Sequence, residues 1–168
     1  MRLLRCTVAT PLGEIILLHD TTALVALLWG DGVERGMAHL VRHLPPWSEK
    51  PVPAIPGCTD VLASYFDGDI SALATVRVNP PGTAFQKLVW STLQSIEPGE
   101  SWSYATLATK IGRPTAYRAV AGANSKNPVP LVIPCHRVIA AGGGLGGFSC
   151  GLHRKVWLLD HEGIPYST

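Results

Sequence analysis

Short apolar runs separated by turn residues fill the start of the chain: Leu3 to Ala9, Ile15 to His19 and Leu24 to Trp29, punctuated by Pro11-Leu12-Gly13 and closed by Gly30-Asp31-Gly32. Runs of that length between Gly and Pro signals predict an antiparallel meander of three strands. From Val33 the period changes. Val33, Met37, Leu40, Val41 and Leu44 recur at helical spacing until Pro45-Pro46 stops them. Pro51, Pro53 and Pro56 then predict an extended loop, Thr59 to Phe66 a short helix, and Leu73 to Val78 a last strand. Asn79-Pro80-Pro81-Gly82 is the strongest breaker in the chain, which places a boundary between an N-terminal unit, residues 1–82, and a C-terminal unit, residues 83–168.

The second unit reads as mostly helical. Phe85, Leu88, Val89, Thr92 and Ile96 share one face of a helix that Pro98-Gly99 ends. Ser103 is placed to cap a helix from Tyr104 to Ile111, Gly112 to close it, and Thr115 to cap another from Ala116 to about Asn124. Helix, tight glycine turn and helix is the grammar of a helix-turn-helix, or of an ordinary helical hairpin. Its second helix would bury Ala116, Ala119, Val120 and Ala123 and leave Tyr117, Arg118 and Asn124 able to face outward. An apolar strand, Val129 to Ile133, leads to Pro134-Cys135-His136-Arg137, a glycine-rich loop spans Gly142 to Gly147, and a last helix from Gly151 to Glu162 turns Leu152, Val156 and Leu159 inward. The fold class expected is α+β.

Composition narrows the function classes. With 46% hydrophobic and 15% charged residues over 168 positions, the chain can bury a core without staples. No apolar run approaches the roughly 20 residues of a membrane span, and the N-terminus lacks a signal-peptide pattern, so a cytoplasmic protein is expected, or a nuclear one in a eukaryotic source. Cys6, Cys58, Cys135 and Cys150 form neither a CxxC pair nor a dense framework; reduced thiols and no metal site are expected. The net charge of +2 hides an asymmetry: residues 1–84 hold six Lys/Arg against eight Asp/Glu, residues 85–168 eight against four. A polyanionic partner would meet the second half, where Lys110, Arg113 and Lys126 surround the paired helices.

Cys135 follows a proline at the end of an apolar segment, beside His136 and Arg137, which is how a thiol nucleophile is presented to a base and a positive charge. Neighbouring side chains of a strand point to opposite faces, so the pair can cooperate only if the backbone turns at Cys135 or a water bridges them. A Cys-His dipeptide alone is weak evidence and fits a buried cysteine beside a structural histidine better.

The longer string changes that balance. Asn127-Pro128-Val129-Pro130-Leu131-Val132-Ile133-Pro134-Cys135-His136-Arg137-Val138-Ile139, the glycine loop, and Lys155-Val156-Trp157-Leu158-Leu159-Asp160-His161-Glu162-Gly163 together closely resemble the O6-alkylguanine-DNA alkyltransferases. The likeness extends through Phe85-Gln86-Lys87-Leu88-Val89-Trp90, Tyr104 and Arg118-Ala119-Val120, and in outline through Thr10-Pro11-Leu12-Gly13 and Tyr65-Phe66. It implies direct reversal of DNA damage: one irreversible transfer of a methyl or larger alkyl group from O6 of guanine to Cys135, with O4 of thymine left open as a second target. It also implies a ribonuclease H-like N-terminal unit of small antiparallel sheet and helices, and a C-terminal winged helix-turn-helix-like unit.

By the same resemblance, His136 is the base, acting through a water; Glu162 orients it; and Asn127 holds the turn that carries the cysteine. Tyr104 faces N3 of the base, and backbone around Val138 and Ser149 holds the guanine edge. Arg118 fills the gap left by the extruded nucleotide, as chemistry on a stacked base requires. Ser103, Arg113, Thr115 and Tyr117 complete the expected DNA contacts. The implied partner is double-stranded DNA bearing O6-alkylguanine, met by a monomer, with cooperative binding along DNA left open; no cofactor is implied. Tyr117 and Cys150 depart from the family pattern, which has small residues there. Two other readings are a silent DNA-binding relative, which the presence of Cys135 argues against, and a thiol hydrolase, which leaves Tyr104, Arg118 and the paired helices without a role.

Overall fold

The computed structural model describes residues 1–167. β1 (Arg2–Thr10), β2 (Gly13–His19) and β3 (Leu24–Trp29) form the expected antiparallel meander, with Leu17 opposite Cys6 and Leu27. The sheet is nevertheless mixed. β4 (Ser48–Pro51), in the stretch expected to be a loop, pairs parallel to β1 and gives the order β3-β2-β1-β4. Pro51 sits at the outer edge, where a residue without an N–H breaks no ladder.

Alternation along β2 sends Ile15 and Leu17 into one core layer and Ile16 and Leu18 into another. α1 (Val33–His43) covers the second layer with Met37 and Leu40; Val41, expected on that face, is exposed. α2 (Thr59–Phe66) lies on the first layer through Leu62 and Tyr65. The strand expected from Leu73 to Val78 is instead a 3-10 turn, Ala72–Thr75, followed by a single bridge of Val78 to Leu24. That bridge belongs to a larger arrangement. β3 is an edge strand, and its free edge is covered by hydrogen bonds of Leu24 N–H to Arg77 O, Asn79 N–H to Leu24 O and Leu27 N–H to Pro128 O. The last of these docks the segment entering the Cys135 turn directly onto the sheet.

α3 (Ala84–Leu93) begins with a capping box in which Thr83 and Gln86 satisfy each other's backbone N–H. Its buried face is Val89, Trp90 and Leu93, while Leu88 points outward. β5 (Trp102–Ser103) runs into α4 (Tyr104–Lys110), capped by Ser103 Oγ accepting from Thr106 N–H at 3.0 Å. α5 (Tyr117–Ser125) follows, packed on α3 and α4. Thr115 does not cap it: Ala116 holds the cap position with no side-chain bond, and Thr115 is exposed in the turn. Ala119 is exposed and Asn124 buried, the reverse of the expectation, because the helix turns Val120, Ala123 and Asn124 toward the core.

β6 (Val138–Ile139) pairs parallel to β5, and α6 (Leu152–Glu162) closes the chain, ended by Gly163 in the left-handed conformation. The inward stripe of α6 is Lys155, Leu158, Leu159 and Glu162, whereas Leu152 is exposed and Val156 half-buried. One continuous core cluster runs from Cys6 and Ile15 through Trp90 and Val120 to Cys135 and Leu158. No described helix is long and apolar enough to cross a membrane.

Candidate active site

The residues expected to form a strand before Cys135 form a tight turn. Asn127 clamps it from inside: Oδ1 accepts from Val129 N–H at 2.9 Å and Nδ2 donates to Ile133 O at 2.8 Å. Ile133 N–H bonds back to Val129 O, and Leu131 takes a positive φ of 76°, a conformation that branched side chains rarely adopt. Pro134 then leads into a single 3-10 turn, Cys135–Arg137. Because the backbone turns here, Cys135 and His136 are not held on opposite faces of a strand.

Cys135 is 3% exposed and lines a cavity of about 520 Å³ with Tyr104, Asn124, Gly147, Phe148 and Ser149. Burial pushes its thiol up to about 12, and Cys150 adds to the shift; a hydrogen bond from Asn127 and the charge of Lys155 pull the other way without winning. The resting side chain is therefore a thiol, where the flanking His136 and Arg137 alone would have suggested a thiolate. A base is needed at the moment of reaction.

His136 is fully buried, and its Nε2 lies against Glu162 Oε2. Burial lowers its proton affinity more than Glu162 restores it. The ring is neutral near pH 7, with Nε2–H donating to the carboxylate. Nδ1 is then the basic nitrogen, and it is buried with no partner, free to take a proton. Glu162 is held in turn by Tyr65 OH, which donates to Oε2 at 2.8 Å, and by Arg137, whose Nε and Nη2 reach Oε1 at 2.7 and 2.6 Å. Arg137 Nη1 also donates to Ile96 O at 2.8 Å. Burial would raise the Glu162 carboxyl, but the hydrogen bond from His136, the charge of Arg137 and the hydrogen bond from Tyr65 hold it down to about 2.

Lys155 Nζ donates to Val138 O at 2.7 Å and Gly147 O at 3.2 Å, tying the base of the glycine loop to α6; burial lowers it to about 8. Both backbone groups of Val138 thus have partners inside the protein, since its N–H also bonds to Cys135 O. Tyr104 stands across the cavity from Cys135; burial raises its hydroxyl, as does Cys135, against a hydrogen bond from Gly147 N–H. Ser149 lines the same wall, with its carbonyl bound by Arg35.

The remaining expected residues lie outside the cavity. Arg118 and Tyr117 are exposed on α5, the guanidinium 5.9 Å from the ring centroid, and Arg113 sits over Phe85 in the turn between α4 and α5. Ser103 serves α4 as its cap, and Thr115 is exposed in the turn before α5. Tyr65, Lys155 and Asn124 stand at the site though no residue pattern points to them, and Arg137, expected to offer the thiol a positive charge, binds Glu162 instead. A charged residue spaced like Leu159 and Glu162 on α6 was the available signal for Lys155; nothing local distinguishes Tyr65.

Comparison with known proteins decides the family. The description "6-O-methylguanine DNA methyltransferase, DNA binding domain" matches residues 84–164. A methylated-DNA–protein-cysteine methyltransferase of Shigella flexneri is 40% identical over 166 residues, covering 97% of both chains. The chain belongs to the methylated-DNA–protein-cysteine methyltransferase family. A relative of that description from Salmonella typhimurium matches at the same 40% identity and 97% coverage. Among solved structures, Mycobacterium tuberculosis OGT in complex with DNA superposes with a TM-score of 0.78 at 34% identity, covering 95% of this chain and 92% of that one.

Proposed function

We propose that this chain repairs O6-alkylguanine in duplex DNA by transferring the alkyl group to Cys135 in a single irreversible step. The observation that carries the reading is the relay behind the cavity wall: a buried thiol, a neutral His136 whose Nδ1 is free, and Glu162 fixed on the far nitrogen. Through a bridging water the thiol proton passes to Nδ1, leaving an imidazolium that Glu162 stabilises. The thiolate sulfur attacks the alkyl carbon, the bond from that carbon to O6 breaks, and its electron pair stays on the guanine oxygen. Tyr104 faces the leaving base, and Asn127 keeps Cys135 at the cavity floor. The thioether has no route back to a thiol.

The finer architecture belongs to the same reading. Parallel addition of β4 to the antiparallel meander supports a ribonuclease H-like unit over residues 1–82. The paired α4 and α5, with β5 and β6 beside them, support a winged helix-turn-helix-like unit over residues 83–168. On this reading α5 enters the minor groove, Arg118 fills the stack behind the extruded nucleotide, and Ser103, Arg113, Thr115 and Tyr117 line the DNA-facing side with little sequence preference.

Intact mass after incubation with duplex DNA carrying O6-methylguanine tests it. One methyl per molecule, mapped to Cys135 and missing in Cys135→Ser, is expected; methyl loss from DNA without a mass gain on the protein overturns it.

A further inference from the structure

An ionised carboxylate offers about four lone-pair sites, and in Glu162 each has a donor. Oε1 takes Nε and Nη2 of Arg137, while Oε2 takes His136 Nε2 and, at 2.8 Å, the hydroxyl of Tyr65. Arg137 alone suffices to orient the carboxylate and answer its charge. Tyr65 therefore invites a different explanation. It comes from α2, far from the Cys135 turn in sequence, and α6 grips it at two points. Its carbonyl accepts from His161 Nε2 at 2.7 Å, and its hydroxyl donates to the next residue, Glu162. The ring between them is completely buried, packed edge-on against Phe66 and His161 at centroid distances of 5.4 and 5.0 Å. Burial and the charge of Glu162 hold the hydroxyl well above the usual phenol range, so it keeps its proton and remains a donor.

The oxygen that Tyr65 shares is the one that faces the imidazole. The positive end of its O–H dipole points at Oε2 and so stands close to His136, where an imidazolium gains less from Glu162 than it would from an unshared oxygen. The charged groups that bear on His136 are Glu162, Arg137 and Lys155, and the two cations already disfavour a further positive charge. Cys135, on the same turn, and His161, against the Tyr65 ring, are the other titratable neighbours. On the alkyl-transfer reading the balance matters, because the relay accepts the thiol proton only while Nδ1 is empty. We propose that Tyr65 is a positioning residue of the transfer: by sharing Oε2 with His136 it restrains Glu162 from drawing a proton onto the ring, and Nδ1 stays free for the proton of Cys135. The N-terminal half of the chain thereby supplies a member of the relay.

Tyr65→Phe removes the hydroxyl and keeps the ring; Tyr65→Met, adaptable in shape, serves if the first variant does not fold, as judged by thermal melts. One readout is the protonation midpoint of His136 in the unreacted protein, followed by NMR of nitrogen-labelled histidine. The other is the acid limb of single-turnover methyl gain by Cys135 from duplex DNA carrying O6-methylguanine. The midpoint should rise by about 0.5–1 pH unit, roughly a threefold to tenfold gain in proton affinity, and the acid limb should move up with it. Leu62→Val loosens the same helix away from Glu162, so it should lower the melting temperature and leave the midpoint in place. A midpoint that stays put in a folded Tyr65 variant, an acid limb that does not follow it, or an equal shift in Leu62→Val overturns the assignment. No methyl gain by the wild-type chain overturns the alkyl-transfer reading, and the midpoint in the unreacted protein still decides what Tyr65 does to His136.

Discussion

Glu162 accepts from Tyr65 on α2 and from the adjacent His136 and Arg137 of the Cys135 turn at once, joining two distant parts of the chain. Such a carboxylate is costly to disturb, because its partners are buried with it. Removing its charge in Glu162→Gln leaves Arg137 unpaired, and destabilisation of about 3–5 kcal/mol is expected in urea unfolding at pH 7. A variant with an unchanged midpoint would mean that the charge network contributes nothing net. The pH dependence follows from the same two groups. Glu162 falls from 4.5 to about 2 on folding, so its contribution is complete above about pH 4.5 and is lost as the pH falls toward 2. His136 is lowered from 6.5, so below that pH the unfolded chain takes up a proton that the folded chain refuses, and stability falls in the same direction. Stability should therefore decline with acid from about pH 6.5 downward, and Glu162→Gln should flatten the lower part of that curve. Methyl transfer in single-turnover assays should hold at pH 6.5, where the folded chain keeps Nδ1 unprotonated, and slow only further into acid. At Arg118 the expectation is selective. Its exposed position on α5 predicts that Arg118→Ala slows repair in duplex DNA at least tenfold more than reaction with free O6-methylguanine base, since only the duplex needs its stack refilled; equal losses on both substrates would remove it from the extrusion step.

Elements hold the site at a second level, through α3. The Trp90 ring is completely buried and its Nε1 donates to Ala123 O at 2.9 Å, fixing the end of α5 that carries Asn124. Gly82 lets that ring sit where it does. A Cβ at Gly82 would lie 2.5 Å from Trp90 Cη2 and 2.6 Å from Cζ3, and a buried indole cannot swing aside. Gly82→Ala should cost about 1–3 kcal/mol by overpacking. Gly122 is the contrasting case, inside α5 with nothing within 4 Å of a Cβ. Gly122→Ala should stabilise by about 0.5–1 kcal/mol through helix propensity. Thermal melts of the two variants moving in the same direction would break this account. The elements also mark how far the sequence could be read. The meander, the Ser103 cap and the end of the last helix at Glu162 rest on local signals, and the chain shows them where those signals place them. Errors arose where distant contacts override local pattern. α6 presents Lys155 and Glu162 inward, against hydropathy, because each finds buried partners on other elements. The turn from Val129 to Ile133 is apolar enough for a strand, yet Asn127 satisfies its backbone from within. Cys135, His136 and Glu162 were legible through their motif; the free Nδ1 and the resting thiol depend on burial, which no local pattern encodes.

At the scale of the whole molecule, the reactive sulfur belongs to a core shared by both halves of the chain. Leu27 N–H bonds to Pro128 O, Tyr65 reaches Glu162, and Arg154 joins Asp31 at 2.9 Å while donating to Leu12 O. The Cys135 turn is clamped at Asn127, next to Pro128, so a disturbance at the sulfur is passed to the seam with the sheet. Alkylation introduces that disturbance. It adds apolar carbon to a sulfur beside the turn that Asn127 clamps, in a cavity that the hydroxyl-bearing Tyr104 also lines. The methylated protein should therefore be less stable than the free form by about 1–3 kcal/mol, the usual cost of extra carbon in a packed site. For a chain of this size each kcal/mol corresponds to about 2–4 °C, so the loss should be visible in a thermal melt of purified methylated protein. A benzyl group should lower the melting temperature further than a methyl group, because it exceeds what the turn can absorb without shifting Asn127. Equal or higher melting temperatures after either modification would show that the cavity accepts the product without strain, and that the seam does not sense the state of the sulfur.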